Sequence, residues 1–362
     1  MTGAKGKVVV GMSGGVDSSV AALLLKEQGY DVIGVTMDIW PQDDFLTESA
    51  ENGCCGFSAA QDAKAVAAVI GIPHYVMNFR SVFEETVIAD FITEYKRGRT
   101  PNPCIVCNRL VKWEALLNKA LALGADYIAT GHYAQLSRLE NGRYALKASA
   151  ANSKDQTYAL YSLTQDQLAH TLMPVGEHTK EEIRLIAEEA GLPVSQKPDS
   201  QDICFVPDGD YAAFIRHYTK QPDQPGHFVN EEGEVLGLHK GITHYTVGQR
   251  KGLGLSMGKP VYVREIRPET NEVVVGEDKV QCVVKACQIA YMAISEMPDE
   301  PGMQVNAKIR YNHRGALAHV FKSGKDELTC IFDKPQRAVT PGQSLVLYDR
   351  RGYVVGGGII QG

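Results

Sequence analysis

Two features of this chain could do covalent chemistry, a pair of cysteines in unusual surroundings and a glycine-rich loop. Cys107 lies in RTPNPCIVCNRLVKW and Cys204 in PDSQDICFVPDGDY. A thiolate or persulfide is strongly nucleophilic near neutral pH, and a cation such as Arg109 or Lys112 beside Cys107 would lower its pKa. The competing reading of a single cysteine is a small buried hydrophobe, and it is the preferred one for Cys282, Cys287 and Cys330 in the strand-rich tail. Cys54 and Cys55, in the polar stretch ENGCCGF, read as loop thiols without a role.

The loop is VVVGMSGGVDSSVAALLL, a buried strand running through Gly and Ser into a helix. Backbone N–H groups and the positive end of the helix dipole favour a phosphate at such a junction. Ser13, Gly14 and Gly15 allow a tight turn, and Ser18 and Ser19 bring hydroxyls to the helix start. No Gly-Lys-Ser/Thr follows, so it is not a Walker loop, and Gly11, Gly14 and Gly15 do not fit the dinucleotide fingerprint. SGGVDS instead resembles the pyrophosphate loop (PP-loop) of the ATP-pyrophosphatase superfamily, which splits ATP into AMP and pyrophosphate and adenylates a carbonyl or carboxylate. The plain alternative is a glycine turn capped by Asp17. With the loop reading, Asp17 becomes a partner for Mg2+ on the departing pyrophosphate.

The resemblance widens with SGGVDSS, GRTPNP followed by CN, ATGHY, KDQTYALY, DSQDICF, TVGQRKGLG and TPGQS, which occur in this order from Gly11 to Gln343. Together they are similar to the tRNA-specific 2-thiouridylase family. That resemblance implies Cys107 as nucleophile and Cys204 as persulfide carrier. It places ATP on Gly11, Met12, Ser13, Gly14, Gly15, Val16, Asp17 and Ser18, with Met37 and Gly131. Asn102, Pro103 and the next position would meet the target base, and His132, Lys154, Asp155, Gln156, Arg310, Tyr311 and Gln343 would contact tRNA. For His132 a helix-end or core histidine is the bland alternative.

One position departs from the family pattern. Where PNPD is usual, this chain has Cys104, which removes a carboxylate near the base and makes a Cys104-x-x-Cys107 pair. Cys104, Cys107 and Cys204 would suit a four-iron four-sulfur cluster with one open iron, as some sulfur-transfer relatives in the superfamily carry. The pair also fits half a zinc site, but no second pair with finger spacing follows.

The implied reaction is adenylation of C2 of a wobble uridine, then replacement of its oxygen by sulfur. Reaching that atom requires a base splayed out of its stack, as a single-stranded anticodon loop permits. A sulfur donor such as a cysteine desulfurase or a sulfur-relay protein would be a partner. A PP-loop ligase forming amides on a small molecule is the rival, sharing SGGVDS but having no use for Cys107 and Cys204. A non-catalytic nucleotide- or RNA-binding module would need neither the complete loop nor the cysteines.

The elements needed to hold these groups are legible as a pattern. Strand-like Lys7–Met12, Asp31–Met37, His74–Phe79 and Asp126–Thr130 alternate with helix-like 18–27, 58–70, 82–95 and 112–123, predicting a doubly wound parallel α/β sheet. Asn141-Gly142 signals a hairpin, and Thr179 with Glu182 a capping box. Short strands such as NAKIRY, ALAHVF, LTCIF and SLVLY then predict a small C-terminal β-barrel or sandwich. The expected division is a catalytic domain over 1–205, a small mixed central domain over 206–278 and a β-barrel over 279–362.

A length of 362 residues supports more than one core, and 44% hydrophobic with 22% charged residues is a globular composition. No apolar run reaches the roughly 20 residues of a membrane span, which argues for a cytoplasmic protein without a membrane partner. The net charge of −6 excludes RNA binding by overall positive charge and leaves local patches. Lys96, Arg97, Arg99, Arg109 and Lys112 are either a solvated helix face or phosphate contacts.

Overall fold

The computed structural model describes residues 5–40, 57–149, 154–198, 203–206 and 209–362, so Cys54 and Cys55 lie outside the described residues. The chain divides into two compact units, one of residues 1–87, 104–208 and 352–354, the other of 88–103, 209–351 and 355–362.

The first unit is built on a parallel sheet. β1 (Lys7–Gly11) pairs with β2 (Asp31–Asp38) and with β4 (Tyr127–Ala129), β2 with β3 (His74–Asn78), and β4 with β7 (Thr171–Leu172). The order β3-β2-β1-β4-β7 reverses direction at β1. In open parallel sheets the crevice at such a switch point, outside the carboxyl ends of the strands, is where ligands bind. Val8, Val9 and Val10 are all buried, the continuous apolar run of a strand covered on both faces. The helix Val16–Glu27 packs through Val20, Ala21 and Leu25, sharing a core with Val66 of the helix Phe57–Ile70 and with Ile183 and Ala187 of the helix Lys180–Glu189. That last helix begins in the expected capping box, with Glu182 N donating to Thr179 Oγ1 at 3.2 Å and Thr179 N to Glu182 Oε2 at 2.7 Å. The expected hairpin is β5 (Ala134–Arg138) with β6 (Tyr144–Ala148), turning at Gly142 with φ +80°.

Two expected α-helices are partly π-helical. The segment from Arg80 to Lys96 has a π stretch at Glu84–Ile88, and the one opening at Pro103 is π-helical over Cys107–Leu116. Pro103 stands at the first helical position, where its missing N–H costs nothing.

The second unit holds a four-stranded sheet and a closed barrel. β8 (Gly226–Val229), β9 (Val235–His239), β10 (Tyr262–Arg267) and β11 (Glu272–Gly276) run in the order β10-β11-β8-β9. The barrel consists of β12 (Val280–Tyr291), β13 (Met303–Lys308), β14 (Ala316–Gly324), β15 (Glu327–Arg337), β16 (Ser344–Tyr348) and β17 (Val354–Ile360), closing in the order β12-β15-β14-β13-β16-β17. Along β14 Ala318 and Val320 point inward while Leu317 and His319 are exposed, the alternation a half-buried strand requires. Closure leaves no strand edge to aggregate. Cys330 sits in this core as the buried hydrophobe expected, its thiol pushed up to about 12 by burial. Among the described residues no helix is long and apolar enough to cross a membrane.

Candidate active site

At the carboxyl end of β1 the chain turns through Met12, Ser13, Gly14 and Gly15 into the helix Val16–Glu27, whose N-cap, Gly15, has no side-chain cap. The helix start thus keeps backbone donors for an anion. Ser18 and Ser19 both donate to Gly15 O, at 3.2 and 2.8 Å, and Ser13 N donates to Ser18 Oγ at 3.2 Å, so the hydroxyls brace the turn. Met12 is held from β2 by its N–H to Val35 O at 2.8 Å and by Thr36 Oγ1 to its carbonyl at 2.9 Å. Met37 follows at the carboxyl end of the same strand.

Two glycines are required by close approach. Gly14 has φ +68°, and a Cβ there would lie 2.3 Å from Ala59 O of the helix Phe57–Ile70. Gly131, just beyond β4, would place a Cβ 2.5 Å from Ser18 N, inside the turn that starts the helix. The β1 and β4 loops therefore touch at the switch point, and no side chain fits between them.

Asp17 does not cap its own helix. Its Oδ1 accepts from Lys180 Nζ at 2.7 Å and from Tyr133 Oη at 2.7 Å. Lys180 is 8% exposed and its ammonium lies 5.9 Å over the Tyr133 ring. Lys197 Nζ donates to Gly14 O at 3.1 Å and pairs with Asp62 at 2.6 Å. Neither lysine was singled out from sequence. The capping box places Lys180 at the first position of its helix, but nothing local signals that its partner is 163 residues away.

The histidine of ATGHY is partly accessible, yet its ring packs 5.5 Å from that of the buried Trp113, and Nδ1 lies 2.7 Å from Thr130 Oγ1. Burial first, and the charge of Lys112 second, hold the His132 pKa well below the ordinary value, so the ring is neutral at pH 7. Gln156 is tied to the next residue in both directions, its Oε1 accepting from Tyr133 N at 2.9 Å and its N–H donating to Tyr133 O at 3.0 Å. Asp155 accepts from Thr157 N and Oγ1, and Lys154 is exposed.

Cys107 opens the π stretch and is half-buried, and Cys104, one turn earlier, is exposed. Next to Cys107 the buried Asn108 donates to Ala159 O at 2.9 Å and accepts from Lys112 Nζ at 2.9 Å, which fixes the helix beneath the thiol. Cys204 is half-buried, and the Phe205 ring after it meets Phe83 edge-on at 5.6 Å. Among the described residues no group of three or more His, Cys, Asp or Glu side chains is placed to hold a metal ion. The trio Cys104, Cys107 and Cys204 therefore supplies no ligand set for the expected cluster in this structure. Asp17 does suit magnesium, because it is a carboxylate at an anion-binding helix start with both described hydrogen bonds on Oδ1.

Asn102, Pro103, Arg310, Tyr311 and Gln343 belong to the second unit. Tyr311 is 40% exposed, and Arg310 Nη1 donates to Arg337 O at 3.2 Å.

A parallel sheet with an uncapped phosphate turn at its switch point defines a PP-loop protein that uses ATP. Family models match the chain in three stretches, a tRNA methyl transferase HUP domain over residues 6–208, a tRNA methyl transferase PRC-barrel domain over 212–277 and an aminomethyltransferase beta-barrel domain over 280–360. The chain is 61% identical over 356 residues to the tRNA-specific 2-thiouridylase MnmA of Lachnoclostridium phytofermentans, covering 98% of this chain and 99% of the relative. It is 55% identical to that of Acetivibrio thermocellus, covering 99% of each. A 4-thiouridine synthetase solved with RNA and ATP is 18% identical with a TM-score of 0.38, over 60% of this chain and 50% of that one. The chain belongs to the tRNA-specific 2-thiouridylase family.

Proposed function

We propose that this protein forms 2-thiouridine in tRNA at the expense of ATP, with the wobble uridine of the anticodon loop as its target. The observation that carries the reading is the uncapped helix start at Gly15, with Asp17 drawn beside it onto the buried Lys180. The first step joins the uridine O2 to the α-phosphorus and breaks the bond to the β-phosphate, so pyrophosphate leaves and C2 becomes electrophilic. The Met12–Gly15 turn and the helix start hold the phosphates, and Gly131 keeps the neighbouring loop close without obstructing them. Magnesium held by Asp17 would neutralise charge on the departing pyrophosphate. Lys180 and Tyr133 orient that carboxylate.

In the second step the outer sulfur of a Cys204 persulfide attacks C2 and AMP leaves. The Cys107 thiolate then attacks Cys204 Sγ, forming a disulfide and expelling the thiocarbonyl of 2-thiouridine, and a thiol reductant restores both cysteines. Asn102, Pro103 and Cys104 meet the base, while His132, Lys154, Asp155, Gln156, Arg310, Tyr311 and Gln343 contact tRNA. A neutral His132 would act as a hydrogen-bonding group, not a cation for phosphate. A desulfurase or relay protein would load Cys204.

The test is incubation with tRNA, ATP, magnesium and a persulfide source, followed by mass spectrometry of the nucleosides and separation of labelled ATP products. 2-Thiouridine with AMP and pyrophosphate is expected. ADP and orthophosphate, or AMP formed without tRNA thiolation, would sink the reading.

A further inference from the structure

The stretch Gly98-Arg99-Thr100-Pro101 leads directly into Asn102 and Pro103, and the second unit grips it at two points. At Gly98, with φ +68°, the backbone lies so close to β10 that a Cβ would be 2.8 Å from Ile266 Cγ2. At the other point it meets the turn between β15 and β16, Thr340-Pro341-Gly342-Gln343. Thr100 N donates to Pro341 O at 2.9 Å. Gly342, with φ +90°, approaches until a Cβ would lie 2.9 Å from Thr100 N and 3.0 Å from Thr100 O. Gln343 Nε2 donates to Thr100 O at 3.0 Å and to Pro101 O at 3.3 Å. Both partners are carbonyls, so only the amide nitrogen can face them, and its two N–H groups are used. The turn is in turn tied to β17, with Gly342 N donating to Ile360 O at 3.1 Å and Ile360 N to Gln343 O at 2.8 Å.

We propose that Gln343 is a positioning residue whose side-chain amide nitrogen clamps the Thr100–Pro101 backbone to the barrel and so fixes the Asn102–Pro103 loop, a task separate from any contact its Oε1 makes with RNA. A nucleotide could take those N–H groups only by breaking both bonds, which would leave two loop carbonyls unmatched. The clamp explains why the segment needs no regular structure, since the barrel turn supplies the partners a helix or strand would have given. The functional part of this inference rests on the reading of Asn102 and Pro103 as target-base contacts.

Gln343→Met keeps the length and removes both donors. Four quantities decide the matter in the full-length protein: tRNA affinity, ATP affinity, the single-turnover thiolation rate at saturating tRNA and ATP, and amide hydrogen exchange over 98–103 without tRNA. The rate should fall about 10- to 100-fold, the scale of a misplacement near 1 Å, with ATP affinity held within about twofold. Exchange at Thr100 and Asn102 should quicken in the free protein. An unchanged saturated rate with unchanged exchange would overturn the proposal, whatever happens to tRNA affinity. Were the wild type to form no 2-thiouridine, the proposed function would fail, while the exchange result would still decide the clamp.

Discussion

An ammonium that is almost wholly buried is costly unless its charge is matched, and Lys180 is matched by Asp17 at 2.7 Å. Lys180→Met would leave that carboxylate held by Tyr133 alone beside the phosphates. The expected result is a tRNA-dependent AMP release slowed about tenfold or more, equivalent to about 1.4 kcal/mol, with tRNA affinity unchanged. Lys180→Arg should recover part of the rate, and a rate equal to wild type in the Met variant would remove Lys180 from the site. His132 makes a second case. Its folded pKa is depressed while the unfolded ring titrates near 6.5, so the unfolded state binds more protons and stability rises with pH. The contribution is complete above about pH 6.5 and is lost as pH falls below it. Urea midpoints compared with a His132→Gln variant should converge on acidification through this window, and a pH-independent gap would show that folding leaves the ring's pKa unperturbed. Motif order carries SGGVDS, Cys107 and Cys204 in plain view. The two lysines are invisible in sequence, because each acts on a loop far away along the chain.

At the scale of elements, apolar periodicity found the strands and helices but not their hydrogen-bond registers. Glu84–Ile88 and Cys107–Leu116 carry ordinary helical patterns, and a shift from i→i−4 to i→i−5 pairing leaves little trace in side-chain order. The second of these stretches begins at the proposed nucleophile, a setting where π geometry commonly marks function. Glycine placement was more informative. ATGHY presents Gly131 at the end of β4, and the structure shows its backbone against Ser18 N. Gly131→Ala must displace either loop by several tenths of an ångström, since backbone atoms cannot rotate away as a flexible side chain would. ATP affinity should drop about tenfold or more, by loss of the aligned donors at the helix start, with melting temperature lowered by only a few degrees. Calorimetry of ATP binding checks this, and wild-type affinity would show that the loop yields without cost.

At the scale of the molecule, linear reading had no signal that residues 88–103 leave the first unit and join the second, because composition does not change at either end. The strands of the barrel were legible and ALAHVF alternates as a half-buried strand should, but SLVLY is buried along its whole length, and closure, as opposed to a sandwich, is set by the pairing order that the structure shows. Charge gives the last prediction. A protein of net charge −6 repels RNA at long range, so any affinity for tRNA must come from clustered cations meeting individual phosphates. Each such contact releases condensed counterions, and log affinity falls with log salt by about 0.7 to 0.9 per phosphate neutralised. A handful of contacts therefore predicts a slope of about −2 to −5 for tRNA. ATP, held by backbone donors and an ion, should show a much shallower dependence once magnesium is fixed. The measurement is tRNA affinity from about 50 to 300 mM potassium chloride with ATP affinity in parallel, a range over which the screening length shortens markedly. A flat tRNA curve would mean that base stacking and hydrogen bonding, not phosphate contacts, supply the binding energy.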